Sequence, residues 1–226
     1  MKKLIVGICL VSATVWATPT TQIWNPATDV QARGTFHLGI DNYFGTSGAL
    51  SASTMFPVDL GLEYGLMDNL EVGVDLFYPN GDAPLAFNAK YGIPEANGMP
   101  AMAVGIMSVG LKANDAASDI RMMYGLLAKN LGDMGRVSAG YYVGNDKVLL
   151  DSATAIDNKG IMLTYDKALN DKWWVCVDYA GGKSAMGATF AGFSYAFSSN
   201  TSVIVGLARM GYDDSTKLTT QLDINL

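Results

Sequence analysis

Charge is scarce in this sequence. Its 226 residues include 15 basic and 21 acidic side chains, only 16% of the chain, while 50% of residues are apolar. A soluble domain usually carries about 25% charged residues, so a surface wetted all round is hard to build from this composition. The net charge of −6 excludes the basic footprint of a nucleic-acid binder. One histidine, His37, and two cysteines leave no His/Cys metal set and no cofactor motif. Long hydrophobic runs are missing too. After the first 20 residues the most apolar stretch is 101–111, and it is interrupted by Gly105, Ser108 and Gly110. A spanning helix needs about 20 apolar residues, whereas a tilted membrane strand needs about 9–11. Any membrane crossing is therefore made by strands closed into a barrel.

What is present begins with an export signal. Lys2 and Lys3 precede the apolar run Leu4–Val11, and Val15-Trp16-Ala17 has the small residues of a cleavage site. This predicts a cleaved signal peptide over 1–17, a periplasmic segment over 18–29, and a barrel over 30–226. Cys9 leaves with the signal and Cys176 remains, so no intramolecular disulfide is expected.

Beyond that the dominant pattern has period 2. Arg33, Thr35, His37, Gly39 and Asp41 alternate with Gly34, Phe36, Leu38 and Ile40. Val58, Leu60, Leu62 and Tyr64 oppose Asp59, Gly61 and Glu63. Leu70, Val72, Val74 and Leu76 oppose Glu71, Gly73 and Asp75. Leu85, Phe87, Ala89 and Tyr91 oppose Asn88, Lys90 and Gly92. Later strands are expected near 101–110, 119–130, 135–144, 158–167, 173–181, 188–198, 201–211 and 217–226, making twelve. Strands five and six read least cleanly, because Met and Ala occupy both faces there. Tight connections at 67–69, 131–134, 169–172 and 198–200, with a longer one at 94–100, alternate with looser ones at 45–55, 79–84, 111–118, 145–157, 182–187 and 212–216. Short periplasmic turns at one rim and longer extracellular loops at the other are the habit of a transmembrane barrel. Tyr64, Tyr91, Tyr165 and Tyr195 precede short connections on the apolar face, and Trp173 follows one. They form an expected membrane-interface girdle. Tyr43, Phe56, Tyr78, Tyr179 and Tyr212 are placed toward the other rim.

Alternation alone does not say which face points outward. The export signal and a glycine-rich polar face with isolated charges favour an apolar exterior facing lipid over a soluble β-sandwich or inward-packed barrel. The terminal strand, with Leu222, Ile224 and Leu226 at its end, resembles the signal that bacterial outer-membrane barrels present to their insertion machinery. Leu226 stands where that class usually has an aromatic residue. The hairpin Tyr64–Asp75 is similar to hairpins of porin-like barrels. The resemblance implies an all-β, closed antiparallel up-and-down barrel in the bacterial outer membrane, with the lipid bilayer and the insertion machinery as partners.

With that orientation the lumen is lined by Arg33, His37, Asp41, Asp59, Glu63, Glu71, Asp75, Lys90, Arg121, Lys129, Arg136, Asp178 and Asp223. Acids gather on one arc and bases on the facing arc, a transverse field suited to small polar or charged solutes. The expected function is a porin-like channel. The alternative is a non-conducting structural or surface-interaction barrel, with charges paired across a narrow interior and with loop 145–157 offering Val148, Leu149 and Leu150 to a partner or to the barrel mouth. No enzyme is read. Outer-membrane phospholipases place a serine and a histidine toward lipid, and His37 has the inward parity. Gly181-Gly182-Lys183-Ser184 lacks the spacing of a phosphate loop, and Cys176 is expected to be an inert inward thiol beside Trp174.

Overall fold

A computed structural model describes residues 20–46, 58–78 and 83–226. The expected signal peptide, Phe56, and most of the connections at 45–55 and 79–84 lie outside the described residues, as does the side chain of Tyr78. Twelve strands follow one another: β1 (Phe36–Gly45), β2 (Val58–Met67), β3 (Leu70–Tyr78), β4 (Leu85–Ile93), β5 (Ala101–Gly110), β6 (Met122–Asn130), β7 (Arg136–Val143), β8 (Lys159–Ala168), β9 (Trp173–Ala180), β10 (Ala188–Ala196), β11 (Thr201–Met210) and β12 (Thr216–Asn225). Each pairs antiparallel with its chain neighbours, and β12 returns to β1 through pairs such as Leu38 with Ile224, closing the barrel. Closure leaves no unpaired sheet edge.

The period-2 pattern maps directly onto the wall. On β8, Met162, Thr164 and Asp166 are buried while Ile161, Leu163 and Tyr165 are exposed. On β9, Trp174, Cys176, Asp178 and Ala180 point inward. Outward positions across the sheet are large and apolar, including Phe87, Leu127, Leu163, Val177 and Leu207. So much exposed apolar surface is untenable in water and natural in lipid. Strands of 8–10 residues match the reach of tilted membrane strands.

Two departures from the expected strands have local causes. The β4–β5 register shifts between Phe87 and Ala89, and Ser108 takes a left-handed backbone with φ 56°. Its N–H donates to Asn88 Oδ1 at 2.8 Å, which brings Ser108 to the inner side. Strand β6 starts at Met122 rather than 119. The Asp119 carboxylate accepts the Gly110 and Asn114 N–H groups, and Arg121 sits at φ 47°, so this stretch closes the preceding loop instead of extending the strand.

The interior is filled. Two apolar clusters lie inside the wall. One joins Met122, Tyr124, Leu126, Tyr142, Leu149, Met162 and Met186; the other joins Ile23, Trp174, Cys176, Phe190 and Ile204. Leu149 is fully buried and packs in the first cluster, so the middle residue of the apolar triplet of loop 145–157 folds into the barrel mouth.

Candidate functional site

The segment expected in the periplasm is instead inside the barrel over its described residues, 20–29. The chain leaves β1 at the short-turn rim, where Arg33 bridges Gly65 in parallel. It then climbs through the lumen and reverses at residues 22–25. The reversal is a small hairpin, with Gln22 N–H donating to Asn25 O at 2.8 Å and Ala27 N–H to Thr20 O at 3.0 Å. The wall makes room for it. A Cβ on Gly65 would sit 2.1 Å from Ala32 O, and one on Gly92 would sit 2.7 Å from Thr28 O. The physical reason for the inward placement is apolar burial. Ile23 is 1% exposed, and Trp24 stacks on Phe190 at 5.0 Å and meets Tyr43 edge-on at 5.6 Å.

Asp178 anchors the hairpin tip. Its Oδ2 accepts the consecutive N–H groups of Ile23, Trp24 and Asn25 at 2.8, 2.8 and 3.2 Å. Its Oδ1 accepts the Thr164 hydroxyl at 2.6 Å. Three convergent N–H dipoles form an anion-binding nest, filled here by a side chain of the wall. The Asn25 amide donates to Leu163 O, Thr164 Oγ1 and Tyr179 O. Gln221 Nε2 donates to Ile23 O at 2.8 Å, and Trp24 Nε1 to Met186 O at 3.0 Å. Lower down, Arg136 joins Asp29 of the segment to Asp166 of β8 at 2.5 and 2.9 Å, and Gln31 N–H donates to Glu71 Oε2 at 2.7 Å.

Beside the hairpin a cavity of about 70 Å³ remains against β1–β4 and β12. Six carboxylates line it: Asp41, Asp59, Glu63, Glu71, Asp75 and Asp223, together with Lys90 and His37. Two of the acids have cationic or imidazole partners. Lys90 Nζ lies 3.3 Å from Glu71 Oε1 and donates to Thr20 O. His37 Nε2 lies 3.4 Å from Asp223 Oδ1, with its Nδ1 3.1 Å from Asn225 Oδ1. Asp75 Oδ2 accepts from Asn88 at 2.7 Å. Glu63 Oε2 and Asp59 Oδ1 are buried with no hydrogen-bond partner.

The acidic arc thus lies where the alternation puts it, but the basic arc does not face it. Arg33 is exposed at the rim. Arg121 pairs with Asp119 in the loop before β6. Lys129 has the outward parity of Met123 and Leu127 and pairs with Glu95 of the 94–100 connection at 2.5 Å. Arg136 does point inward, but both Asp29 and Asp166 hold it. On the wall opposite the acids, apolar clusters surround the polar groups that hold the hairpin segment. Sequence reasoning missed the hairpin, Asp166 and Gln221. Two signals pointed to them: Ile23-Trp24 is an apolar pair in a segment expected to be wet, and Asp166 has the inward parity.

The girdle residues Tyr64, Tyr91, Tyr165, Trp173 and Tyr195 all lie on the outer face near the short-turn rim. Trp173 and Tyr195 stand 4.8 Å apart, Phe36 and Tyr64 4.7 Å, and the Tyr165 hydroxyl donates to Met134 O at 2.9 Å. Tyr43 departs from the expected second girdle. It points into the lumen, where its hydroxyl oxygen accepts from Gln221 at 3.3 Å.

A closed twelve-stranded antiparallel sheet with an apolar exterior and an aromatic girdle defines the fold class, an up-and-down β-barrel of the transmembrane type. Among solved structures the chain is similar to the KdgM porin, with a TM-score of 0.56 at 10% identity over 84% of this chain and 98% of that one. It is likewise similar to the KdgM porin in complex with disordered oligogalacturonate, with a TM-score of 0.53 at 11% identity over the same shares. No protein-family model and no curated protein matches the sequence.

Proposed function

We propose that this protein is a narrow outer-membrane channel for small polar or charged solutes, constricted at rest by its own N-terminal hairpin. The observation that carries the reading is the surplus of carboxylates on the lumen side of β1–β4, around a cavity the hairpin leaves open. A wall of one sign in a low-dielectric enclosure concentrates counter-ions and repels like charge. The basic residues expected opposite are engaged with acids, so the lumen field is acidic and favours cationic or neutral solutes. A polyanionic sugar chain of the kind in the KdgM complex would meet carboxylates here, so that solute is not carried over. The test is recording in planar bilayers across a salt gradient. Small conductance steps with a reversal potential on the cation side are expected; folded protein that never conducts, even with the hairpin released, overturns the reading.

The second reading, a non-conducting barrel, is favoured by how firmly the hairpin is seated on Asp178, Gln221 and Arg136. In that case the long loops carry the activity, and release of the hairpin leaves the bilayer silent.

A further inference from the structure

We infer that the chamber between the hairpin and strands β1–β4 is a binding site for a partly hydrated divalent cation, with oxygen atoms as its only ligands. The starting point is charge. Lys90 is committed to Glu71, and His37 to Asp223. Asp41, Asp59, Glu63 and Asp75 face the same cavity and have no cationic side chain among themselves. Buried carboxylates need a counter-charge or a proton.

Geometry adds a second, independent observation. Glu63 is only 5% exposed, yet its Oε2 has no hydrogen-bond partner, and Asp59 Oδ1 and the hairpin's Thr20 Oγ1 are unpartnered in the same way. All three residues line the cavity. The wall keeps this space clear with a glycine. A Cβ on Gly61 would lie 2.9 Å from Glu63 Oε1 and 3.3 Å from Asp75 Oδ1, so two carboxylates of different strands converge over a lumen position that has no side chain. A proton needs no room, whereas an ion with its water does. About 70 Å³ accommodates several water-sized centres, at roughly 10–15 Å³ each.

The donor set names the class. Carboxylate, hydroxyl and water oxygens suit Mg²⁺, Ca²⁺ and Mn²⁺ rather than soft or imidazole-seeking metals. Among the described residues no three acidic, histidine or cysteine groups converge closely enough to enclose a bare ion. The ion therefore keeps part of its water and meets one or two carboxylates directly, a mode typical of Mg²⁺. Because Thr20, Thr21 and Pro26 of the hairpin form one side of the chamber, occupancy also holds the hairpin in place.

The experiment uses the mature protein folded in detergent micelles, titrated with Mn²⁺ while the signal of free aqueous Mn²⁺ is followed by electron paramagnetic resonance. One saturable site per barrel is expected, with a dissociation constant of about 10⁻⁴–10⁻³ M, as in weakly enclosed oxygen sites, and with displacement by Mg²⁺. Glu63→Gln and Asp75→Asn should each weaken binding at least tenfold, and Asp213→Asn, in a loop outside the chamber, should not. Folding of each variant is checked by its heat-modifiable migration. Absence of saturable binding in the unsubstituted protein overturns the inference and means the chain meets this charge internally. Unchanged affinity in the Glu63→Gln/Asp75→Asn double variant overturns it too, by placing the ion elsewhere. Binding is read without a bilayer, so a silent channel does not touch this result and an empty chamber does not decide conductance.

Discussion

Replacing Asp178 by alanine should free the hairpin while leaving the barrel intact. Among the described residues the carboxylate is the only acceptor for the N–H groups of Ile23, Trp24 and Asn25, and it is fully buried. Each buried N–H left unsatisfied costs about 1–3 kcal/mol. Three of them give a loss of about 3 kcal/mol at the low end, where water enters the vacated space. At 1.4 kcal/mol per tenfold change, the open population of the hairpin rises about 100-fold. The strand ladder is untouched, because Asp178 contributes to β9 pairing through its backbone alone. Chymotrypsin reads the opening. Trp24 is sandwiched between Phe190, Tyr43 and the wall, so cleavage after it requires release, and its rate follows the open population when closing is fast. Asp178→Asn keeps an acceptor but loses its charge. Ionised hydrogen bonds are roughly twice as strong as neutral ones, so cleavage should fall between alanine and wild type. Equal cleavage at Trp24 in Asp178→Ala and wild type, with both barrels folded, would refute the assignment of Asp178 as the anchor.

Further outcomes follow from the same contacts. Trp24→Ala removes a stacked aromatic and should weaken the hairpin seat by about 3–5 kcal/mol, seen as faster digestion of the hairpin and larger conductance steps. Lys90→Met strands Glu71, its buried partner at 3.3 Å. Breaking one side of such a pair costs about 3–5 kcal/mol, which should lower the temperature at which the folded gel band disappears. Leu163→Arg puts a charge at the middle of β8 on the outer face and should destabilise the barrel in phospholipid vesicles by about 2–4 kcal/mol; a neutral effect in urea titrations means the face does not meet lipid. In the 94–100 connection, the hydrogen bond from Lys129 and the Asn130 N–H hold the Glu95 carboxyl below its ordinary value of 4.5. A group depressed on folding supports its contact above the ordinary value and loses it as pH falls through the folded one. The NMR titration of Glu95 should therefore have its midpoint below 4.5, and Lys129→Met should move it back up.

Most of the wall was legible. Where lipid lies outside and polar groups lie inside, strands alternate cleanly, and β2–β4 could be read residue by residue. Legibility failed where the interior is dry. On β6, Met122 and Leu126 pack inward while Met123 and Leu127 face outward, so both faces are apolar and the alternation fades. The same blurring hid the parity of Lys129 and left Arg121 and Lys129 assigned to a basic wall. Tyr43 looked like a girdle residue for another reason. Its position near a strand end suggested the interface, but it continues the inward parity of His37 and Asp41 on β1, and its contact with Trp24 agrees.

Period-2 alternation and the rhythm of short and long connections determine twelve strands joined in order, and the export signal with the glycine-rich polar face turns the apolar side outward. Those signals arise between near neighbours and from the contrast of lipid with the lumen, which every outward position must obey. What occupies the lumen was decided only by the tertiary structure. Asp178 and Ile23 are 155 positions apart, Gln221 and Ile23 198, and no local pattern announces that a carboxylate on β9 will receive three N–H groups from the chain's beginning. Barrel closure brings them together, and the burial of Ile23 and Trp24 against the far wall leaves the acids of β1–β4 facing a small chamber instead of an opposing wall of bases.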